Sequence, residues 1–501
     1  MTESQKSLQD NSKNLPKWCK ILTLALPVFV SFFQVRVLDN DFFFLHATGE
    51  YIVNHGMPFT DMLSMHVTMK LVVQQWLSCV IFYVCYKPLG EYGIIILLYL
   101  VNVIIILLTY RLLSLITKNE IISASLTALT NIMIFDGFMV TRPQIFTYAV
   151  LLAEVCFLEQ YVQSGKVKHL IAIPVLSLLM INLHAAMWPM FLVLMLPYLV
   201  SAIPIHYKSL KHEPTGDIIT MSAVFVVCAV VGLINPYGVE NMIYLFKSYG
   251  KNGLDAISEM KPTSLAATEG KIFFSVLAGI LIITFIIKIK RFPMRFLLLF
   301  AGTMILGILQ IKGIPYSLLF GVPAFAYLIK DFDNSHLSKL FSVVKKKRTK
   351  ILIIILLCSA LLFFCKERLL TTLDIRKSVM AHYDNLYGAV KKLKETDKQV
   401  MLYTNFNDGQ FFEFYGFHPY IDGRAEVFLQ KNNNEYDYFG EYLMVSNCMI
   451  YYKDFIDCYR FNYLVIDRGI DNYLYASLIY DEDYEIVYES TDSDIVLFAK
   501  K

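Results

Sequence analysis

Leu38-Asp39-Asn40-Asp41 follows directly after the first long apolar run of the chain, residues 18–37. Solubility alone does not require two carboxylates two residues apart at the end of such a run. In a chain that crosses a membrane, acidic groups at the mouth of a span indicate a polar site at the membrane boundary, for a metal ion or for proton transfer. His46 and Asp61 follow before the next apolar run.

Composition places the chain among polytopic α-helical membrane proteins. Its 501 residues are 56% hydrophobic and 17% charged, with a mean hydropathy of +0.51, too apolar for a soluble protein of this size. The net charge of +3 gives no indication of nucleic acid as a partner. We expect the first run to be a retained span rather than a signal peptide. Runs long enough to cross about 30 Å of hydrocarbon are 18–37, 93–110, 121–140, 143–162, 169–184, 187–204, 217–234, 272–289, 295–311, 313–330 and 350–365.

Residues 71–86 form one further apolar run, which is short and ends before Lys87-Pro88. If this run does not cross and the N-terminus is cytoplasmic, every short basic cluster lies on the cytoplasmic side, as the positive-inside rule requires. If it crossed, all clusters after the first would lie outside. We therefore expect 71–86 to be an interfacial or re-entrant helix on the outer face, with about eleven spans and an outer C-terminus.

This topology gathers polar groups from separate loops on one outer face, as an outward-facing site would require. The predicted outer groups are Asp39, Asp41, Asp61, Asp136, Arg142, His184, Asn235 and the C-terminal tail.

The tail, residues 367–501, differs in character from the membrane part, 1–366. It holds 23 Asp and Glu against 14 Lys and Arg and contains no long apolar run. Strand-like stretches occur at 400–403, 463–466 and 495–498 among helical ones, so we expect a soluble α/β domain outside the membrane. Nine cysteines are present. Cys448 and Cys458 either form a disulfide or remain free thiols, because their spacing does not decide between the two alternatives.

Asp39 and Asp41 have two interpretations. They are a general base or metal carboxylates in the first outer loop, 38–70, or they are interfacial acids that cap the following helix. Because the predicted topology places the other outer groups on the same face, the interpretation as a general base or metal carboxylates is favoured.

His46 lies about two helical turns after Asp39, so a helix would place both on one side. It fits a metal or phosphate ligand as well as an amphipathic interfacial histidine. Asp61 follows turn residues and either joins the site or starts a helix.

Arg142 begins a span at the outer surface, where it could clamp a phosphate, snorkel to lipid headgroups or pair with Asp136. His184, after Asn182, is either a cavity-facing group or part of a tight turn. Glu154 is the feature that favours a transporter, whereas Glu159 lies close enough to the cytoplasmic end to be ordinary surface.

The stretch 422–426, Asp-Gly-Arg-Ala-Glu, could meet the membrane-side site, but a structural turn with an Asp–Arg pair is favoured, and Asp408-Gly409 is turn chemistry too. No nucleotide-binding loop or serine-hydrolase elbow occurs in a suitable context.

Several of these segments, taken in order, resemble a group of bacterial membrane proteins that are similar to the GT-C superfamily of integral membrane glycosyltransferases. Each motif is weak alone, and their order is moderately specific. The segments are 41–64, 75–90, Arg142-Pro143-Gln144, Asn182-Leu183-His184, Asn235-Pro236-Tyr237-Gly238, 421–426 and 484–498.

The resemblance implies a glycosyltransferase of the bacterial plasma membrane that moves a hexosyl or pentosyl group from a polyprenyl-phosphate donor to a glycan, lipid or protein acceptor outside. It implies that Asp41, with Asp39 second, is the essential acid, acting directly or through a divalent cation. Arg142 and His184 would face the donor phosphate. The chain departs from the group at Gln75, where an acid is expected. Alternatives are a transporter or flippase, and a non-catalytic assembly protein that binds glycan or protein.

Overall fold

The computed structural model describes residues 17–33, 38–207, 210–212, 215–248, 258–266, 270–271, 273–279, 293–330, 347–490 and 493–501. Its first thirteen helices lie in the apolar part of the chain. They are α1 (Lys17–Ser31), α2 (Phe42–His55), α3 (Trp76–Leu89), α4 (Glu91–Thr117), α5 (Glu120–Phe138), α6 (Gln144–Ser164), α7 (Ala172–Leu183), α8 (Trp188–Ser201), α9 (Ile218–Val231), α10 (Val239–Met242), α11 (Tyr244–Ser248), α12 (Met294–Leu309) and α13 (Ile314–Ile329).

The remaining helices follow in the last third of the chain. They are α14 (Lys347–Lys394), α15 (Gly409–Phe414), α16 (Gln430–Asn433), α17 (Tyr438–Ser446), α18 (Tyr452–Tyr459) and α19 (Asn472–Leu478). Helix α14 runs without interruption through residue 366, where the sequence changes character. The predicted span 272–289 lies largely outside the described residues.

Within the described part, three helices are long and apolar enough to cross a membrane by length and composition: Glu91–Thr117, Gln144–Ser164 and the stretch Ile311–Ile329. Other apolar helices are shorter. Helix α13 packs against α4, α5 and α12, and Asn119 caps α5 by accepting from the amides of Ile121 and Ile122. An apolar sequence in a helix of this length satisfies its own backbone and needs no water.

Helices α2 and α3 form a close pair beside the bundle. Helix α2 ends at His55, and the following Gly56 has a φ of 88°, a left-handed value that favours glycine. At Gly49 an added Cβ would lie 2.1 Å from the carbonyl oxygen of Cys79, so only glycine allows this approach. Helix α3 covers residues 76–86 of the run 71–86 that the charge pattern predicts to be interfacial.

The tail contains a four-stranded sheet in the order β3-β4-β6-β5. Strand β3 (Leu402–Tyr403) is parallel to β4 (Tyr463–Asp467), which is antiparallel to β6 (Ile495–Lys500); β5 (Tyr484–Glu489) is antiparallel to β6. The two strands β1 (Ile205–Tyr207) and β2 (Leu210–His212) pair separately. The three central side chains of β4 are all buried, so both faces of the strand are covered, a pattern typical of an interior strand.

The tail packs directly on the first outer loop. Helix α15 lies against α2, and the amide of Met65 donates to the carbonyl of Pro419 at 3.0 Å. The ring of His66 lies 2.9 Å, at Nε2, from the carbonyl of Tyr420. The side chain of Asn40 donates to the carbonyl of Asn407. These contacts place the tail beside Asp39 and Asp41.

Candidate functional site

The loop that enters α2 presents both acids to one side. The amide of Asp39 donates to the hydroxyl of Thr141 at 2.8 Å, and the amide of Asp41 donates to the Asp39 carboxylate at 3.1 Å. Asp41 occupies the N-cap position of α2, yet its side chain accepts no capping hydrogen bond. The Asp41 carboxylate therefore points away from the helix end and towards Arg142.

Arg142 lies between three carboxylates. Its Nε is 3.1 Å from Asp39 Oδ1 and 3.0 Å from Asp41 Oδ2, and its Nη1 is 2.8 Å from each oxygen of Glu259. The short loop between α5 and α6 sets this position, because α6 starts directly after its N-cap residue Pro143. The guanidinium thus joins the first outer loop to the segment that contains Glu259.

The electrostatics of this cluster favour a carboxyl that exchanges protons near neutrality. Burial raises the pKa of Asp41 to about 7; Arg142 opposes the rise, while Asp39 and Glu259 add to it. Burial alone would lower the pKa of Arg142, but its carboxylate neighbours raise it above the ordinary value. Arg142 therefore stays charged while Asp41 changes its protonation state.

Two further charged groups reach the same cluster from distant parts of the chain. Lys312 lies in the turn Ile311–Gly313 between α12 and α13, within electrostatic range of Glu259, Glu426 and Asp41. Glu426 belongs to the tail, and burial raises its pKa. The tail approaches closely here, since a Cβ at Gly423 would be 3.4 Å from Asp41 Oδ1.

His184 and Asn182 lie next to the cluster with different partners. The Nδ1 of His184 is 2.8 Å from the hydroxyl of Thr147, and Lys312 is within electrostatic range of the ring. Asn182 accepts from the indole of Trp76 at 2.8 Å and donates to the carbonyl of Ile234 at 3.0 Å. Asn182 thus ties three segments together.

His46 lies in an aromatic pocket rather than beside Arg142. Its ring is 4.9 Å from Tyr86 and 4.8 Å from Phe414, centroid to centroid. Its buried Nδ1 makes no hydrogen bond with any described residue, and burial lowers its pKa to about 4. In this position on α2, His46 is neutral and packs between α3 and the tail.

Asp61 forms the centre of a second buried cluster. Arg424 donates to Asp61 at 2.8 Å and to Asp422 at 2.6 Å, and Glu413 lies 3.5 Å from the same guanidinium. Burial would raise the pKa of Asp61, but Arg424 and Ser64 lower it below the usual value. This cluster joins the first outer loop to the tail.

Three other predicted features have different surroundings. Glu154 is fully buried and its oxygens accept no hydrogen bond from any described residue. The prediction of an ordinary surface position for Glu159 is wrong, because Glu159 is 1% exposed and receives two bonds of 2.9 Å from Arg295. The side chain of Asp136 lies outside the described part. Cys448 and Cys458 are both exposed and free, so the sulfurs are not joined.

A resident metal ion does not fit this arrangement. Among the described residues, no group of three or more His, Cys, Asp or Glu side chains could hold one. The carboxylates of Asp39 and Asp41 already face a permanent cation, Arg142.

Glu259 and Lys312 were not predicted as members of the cluster, and Glu426 was considered only within the stretch 422–426, for which a structural turn was favoured. Lys312 has a usable signal: it is the single residue between two predicted spans, on the side where the positive-inside rule leaves few cations. Glu259 has none, because its approach to Asp41 depends on tertiary packing.

Together, the described helices, the acidic loop before α2 and the tail form a GT-C-like fold, so the expected resemblance in fold is confirmed. The chain is similar to ArnT from Cupriavidus metallidurans, solved bound to undecaprenyl phosphate, with a TM-score of 0.56 and 11% sequence identity over 97% of this chain and 98% of that chain. No family model matches the sequence, and no curated protein matches it.

Proposed function

We propose that the chain is a membrane glycosyltransferase that moves a hexosyl or pentosyl group from a polyprenyl-phosphate donor to an acceptor on the outer face. The observation that carries the proposal is the contact of Asp39 and Asp41 with Arg142 in an ArnT-like fold. The ArnT structure holds undecaprenyl phosphate, which supports a donor of this lipid class.

We propose the topology that the charge pattern predicts: about eleven spans, a cytoplasmic N-terminus and an extracytoplasmic domain formed by 367–501. The positions in the chain of the residues that form the cluster support this topology. Asp41, Arg142 and Lys312 all lie at ends of runs that this topology places outside, and the tail reaches them through Gly423 and Glu426. Segments that meet in space must lie on the same side of the bilayer.

In the proposed reaction Asp41 is the general base. Its carboxylate takes the proton of an acceptor hydroxyl, the hydroxyl oxygen bonds to the anomeric carbon, and the bond from that carbon to the phosphate oxygen breaks. The electron pair leaves with the polyprenyl phosphate. A phosphate leaving group of low pKa needs no general acid, so one base and a cation suffice.

In this reaction Asp39 and Arg142 are positioning groups. Asp39 accepts from the Asp41 amide and faces the same guanidinium, so the Asp41 carboxylate is held in one orientation. The proposed reaction uses no divalent cation, because the carboxylates of Asp39 and Asp41 already face Arg142. The side chains of Asp39 and Asp41 retain 17% and 27% of their exposure, which leaves the acids accessible to substrate and disfavours a purely structural role.

The transporter alternative rests on Glu154. That residue accepts no hydrogen bond from any described residue, so it has no chain of polar partners along which an ion would move. The first experiment therefore tests transfer: the full-length protein in nanodiscs is given undecaprenyl-phosphate-linked pentoses and hexoses together with cell-envelope lipids and glycans as acceptors, and release of undecaprenyl phosphate is measured. The proposal expects acceptor-dependent release from at least one lipid-linked donor, and no release of nucleotide when the matching sugar nucleotides replace the lipid-linked donors. Release from no lipid-linked donor would contradict it.

A further inference from the structure

A narrow pocket lies between the end of the first outer loop, helix α11 and the tail. Lys70 lines it from the loop, Tyr244 and Lys247 line it from α11, and Val427 and Asn432 line it from the tail. The pocket is separate from the contacts that Arg142 makes. A concave surface to which distant segments bring a few polar groups is typical of a ligand site.

Hydrogen bonds beside the pocket hold the tail to α11. The side-chain amide of Asn432 donates to the hydroxyl of Ser248 at 3.4 Å and to the carbonyl of Glu426 at 2.6 Å. Ser248 ends α11, one turn after Tyr244. The wall from the tail and the wall from α11 are therefore fixed relative to each other, so the pocket is formed before a ligand arrives.

Lys247 gives this pocket its positive charge. Lys70 also lines the pocket, but its ammonium group lies 2.5 Å from the carboxylate of Glu240, so these two charges compensate each other. The half-buried Lys247 forms no side-chain hydrogen bond or ion pair with the part of the chain that the structure describes. Its ammonium group can therefore pair with an anion without breaking an existing contact.

The hydroxyl of Tyr244 is a second, independent indication of a ligand. Tyr244 is 4% exposed, and its hydroxyl is buried without a hydrogen-bond partner among the described residues. Buried hydroxyls are nearly always paired, so an unpaired one in the wall of a pocket indicates a group that serves a ligand. Tyr244 and Lys247 are three residues apart on α11 and lie on one face, so one anionic group can accept from both.

The pocket lies within reach of Asp41, the proposed base. A Cβ at Gly423 would be 3.4 Å from Asp41 Oδ1, and Val427, which lines the pocket, follows four residues later. Four residues span at most about 14 Å. The chain also turns here, since the amide of Val427 donates to the carbonyl of Arg424 at 2.8 Å. A short glycan bridges a distance of this size.

We infer that this pocket binds an anionic group, a phosphate or a carboxylate, of the sugar acceptor through the Lys247 ammonium and the Tyr244 hydroxyl. The inference rests on the proposed function and names the chemical class of its acceptor. That acceptor is an anionic glycan, free or lipid-linked, whose negative charge lies within a few sugar units of the hydroxyl presented to Asp41.

Acceptor kinetics of the full-length protein in nanodiscs test the assignment. Cell-envelope glycans and glycolipids are separated by anion exchange into an anionic and a neutral fraction, and each is supplied with an undecaprenyl-phosphate-linked donor. Release of undecaprenyl phosphate should depend on the anionic fraction. Loss of a hydrogen bond to a charged group predicts that K247Q raises KM for this fraction about 10- to 100-fold with kcat largely kept.

Two further variants and a control complete the series. K247R should keep most of the affinity, because it keeps the charge, and Y244F should raise KM less than K247Q does. The matched control is K261Q, because Lys261 is exposed and its carbonyl accepts from the amide of Ile311; it should behave like the wild type. Thermal stability is measured for every variant, so that a loss of fold is not read as a loss of binding.

A second measurement needs no variant. Glucose 6-phosphate and glucuronate should compete with the acceptor in the wild-type protein more strongly than glucose does, and the stronger of the two identifies the anion. Equal or greater release with the neutral fraction, an unchanged KM in a stable K247Q protein, or no difference between glucose and both anionic sugars would overturn the assignment and leave the proposed function standing. Release with neither fraction, from any lipid-linked donor, would contradict the proposed function itself.

Discussion

The pH dependence of donor cleavage should follow the ionisation of Asp41. A general base acts only when deprotonated, so activity should be present above its pKa and lost as the pH falls through it. With a pKa of about 7 for Asp41, about 90% of the carboxyl is ionised at pH 8 and about 1% at pH 5, a fall of roughly 90-fold in kcat/KM. An ordinary aspartate would give almost no change over this range, since it stays ionised.

The assay is release of undecaprenyl phosphate between pH 5 and 9, with protein integrity checked at each pH. The variant E259Q makes the test more specific. It removes a neighbouring carboxylate that raises the pKa of Asp41, and Arg142 then pairs with Asp39 and Asp41 alone. The acidic limb should therefore move to lower pH. E240Q is the matched control, since Glu240 pairs with Lys70 outside the cluster, and its profile should not move. A flat activity profile between pH 5 and 8, or equal shifts of the acidic limb in both variants, would exclude Asp41 as the base whose ionisation controls activity.

Two predictions concern stability in detergent. R424M should lower the thermal transition temperature strongly, by the equivalent of about 3–5 kcal/mol of unfolding free energy, because it leaves buried carboxylates uncompensated. The control R376M breaks a half-exposed ion pair of 3.5 Å and should cost about 1 kcal/mol or less. Equal effects of the two substitutions would contradict the structural role of Arg424. G49A should destabilise the protein by about 1–3 kcal/mol, because the added Cβ would clash with the backbone where α2 and α3 meet. The control G302A, which has open space around it, should be neutral or slightly stabilising. A G49A protein as stable as the wild type would exclude the close packing of α2 and α3.

The helices were predictable from sequence because an apolar run has few other ways to satisfy its backbone. Three strand-like stretches of the tail fall on β3, β4 and β6 for a similar reason, since buried strands are rich in apolar residues. Strand β5 was not predicted. Its burial pattern is mostly exposed and half-buried, so its pairing with β6 depends on its neighbour rather than on its own sequence.

The candidate site was predictable only in part. Asp39, Asp41 and Arg142 carry a local signal, because the predicted topology places these charged groups together at the outer ends of apolar runs, where they indicate a polar site at the membrane boundary. Arg424 shows the limit: the sequence suggests its pair with Asp422, and the structure adds Asp61, which is 363 residues away. A contact of that separation follows from the fold and has no local pattern.

In the proposed reaction Asp41 acts as the base in donor cleavage. The test compares D41N with D39N in release of undecaprenyl phosphate from a donor that the wild type cleaves, with thermal stability measured in parallel. D41N should lose at least about 100-fold in activity, while its stability should be kept because a half-buried carboxyl of raised pKa tolerates a neutral replacement. D39N should lose less, because Asp39 only positions the base. A stable D41N protein with undiminished release would exclude Asp41 as the base.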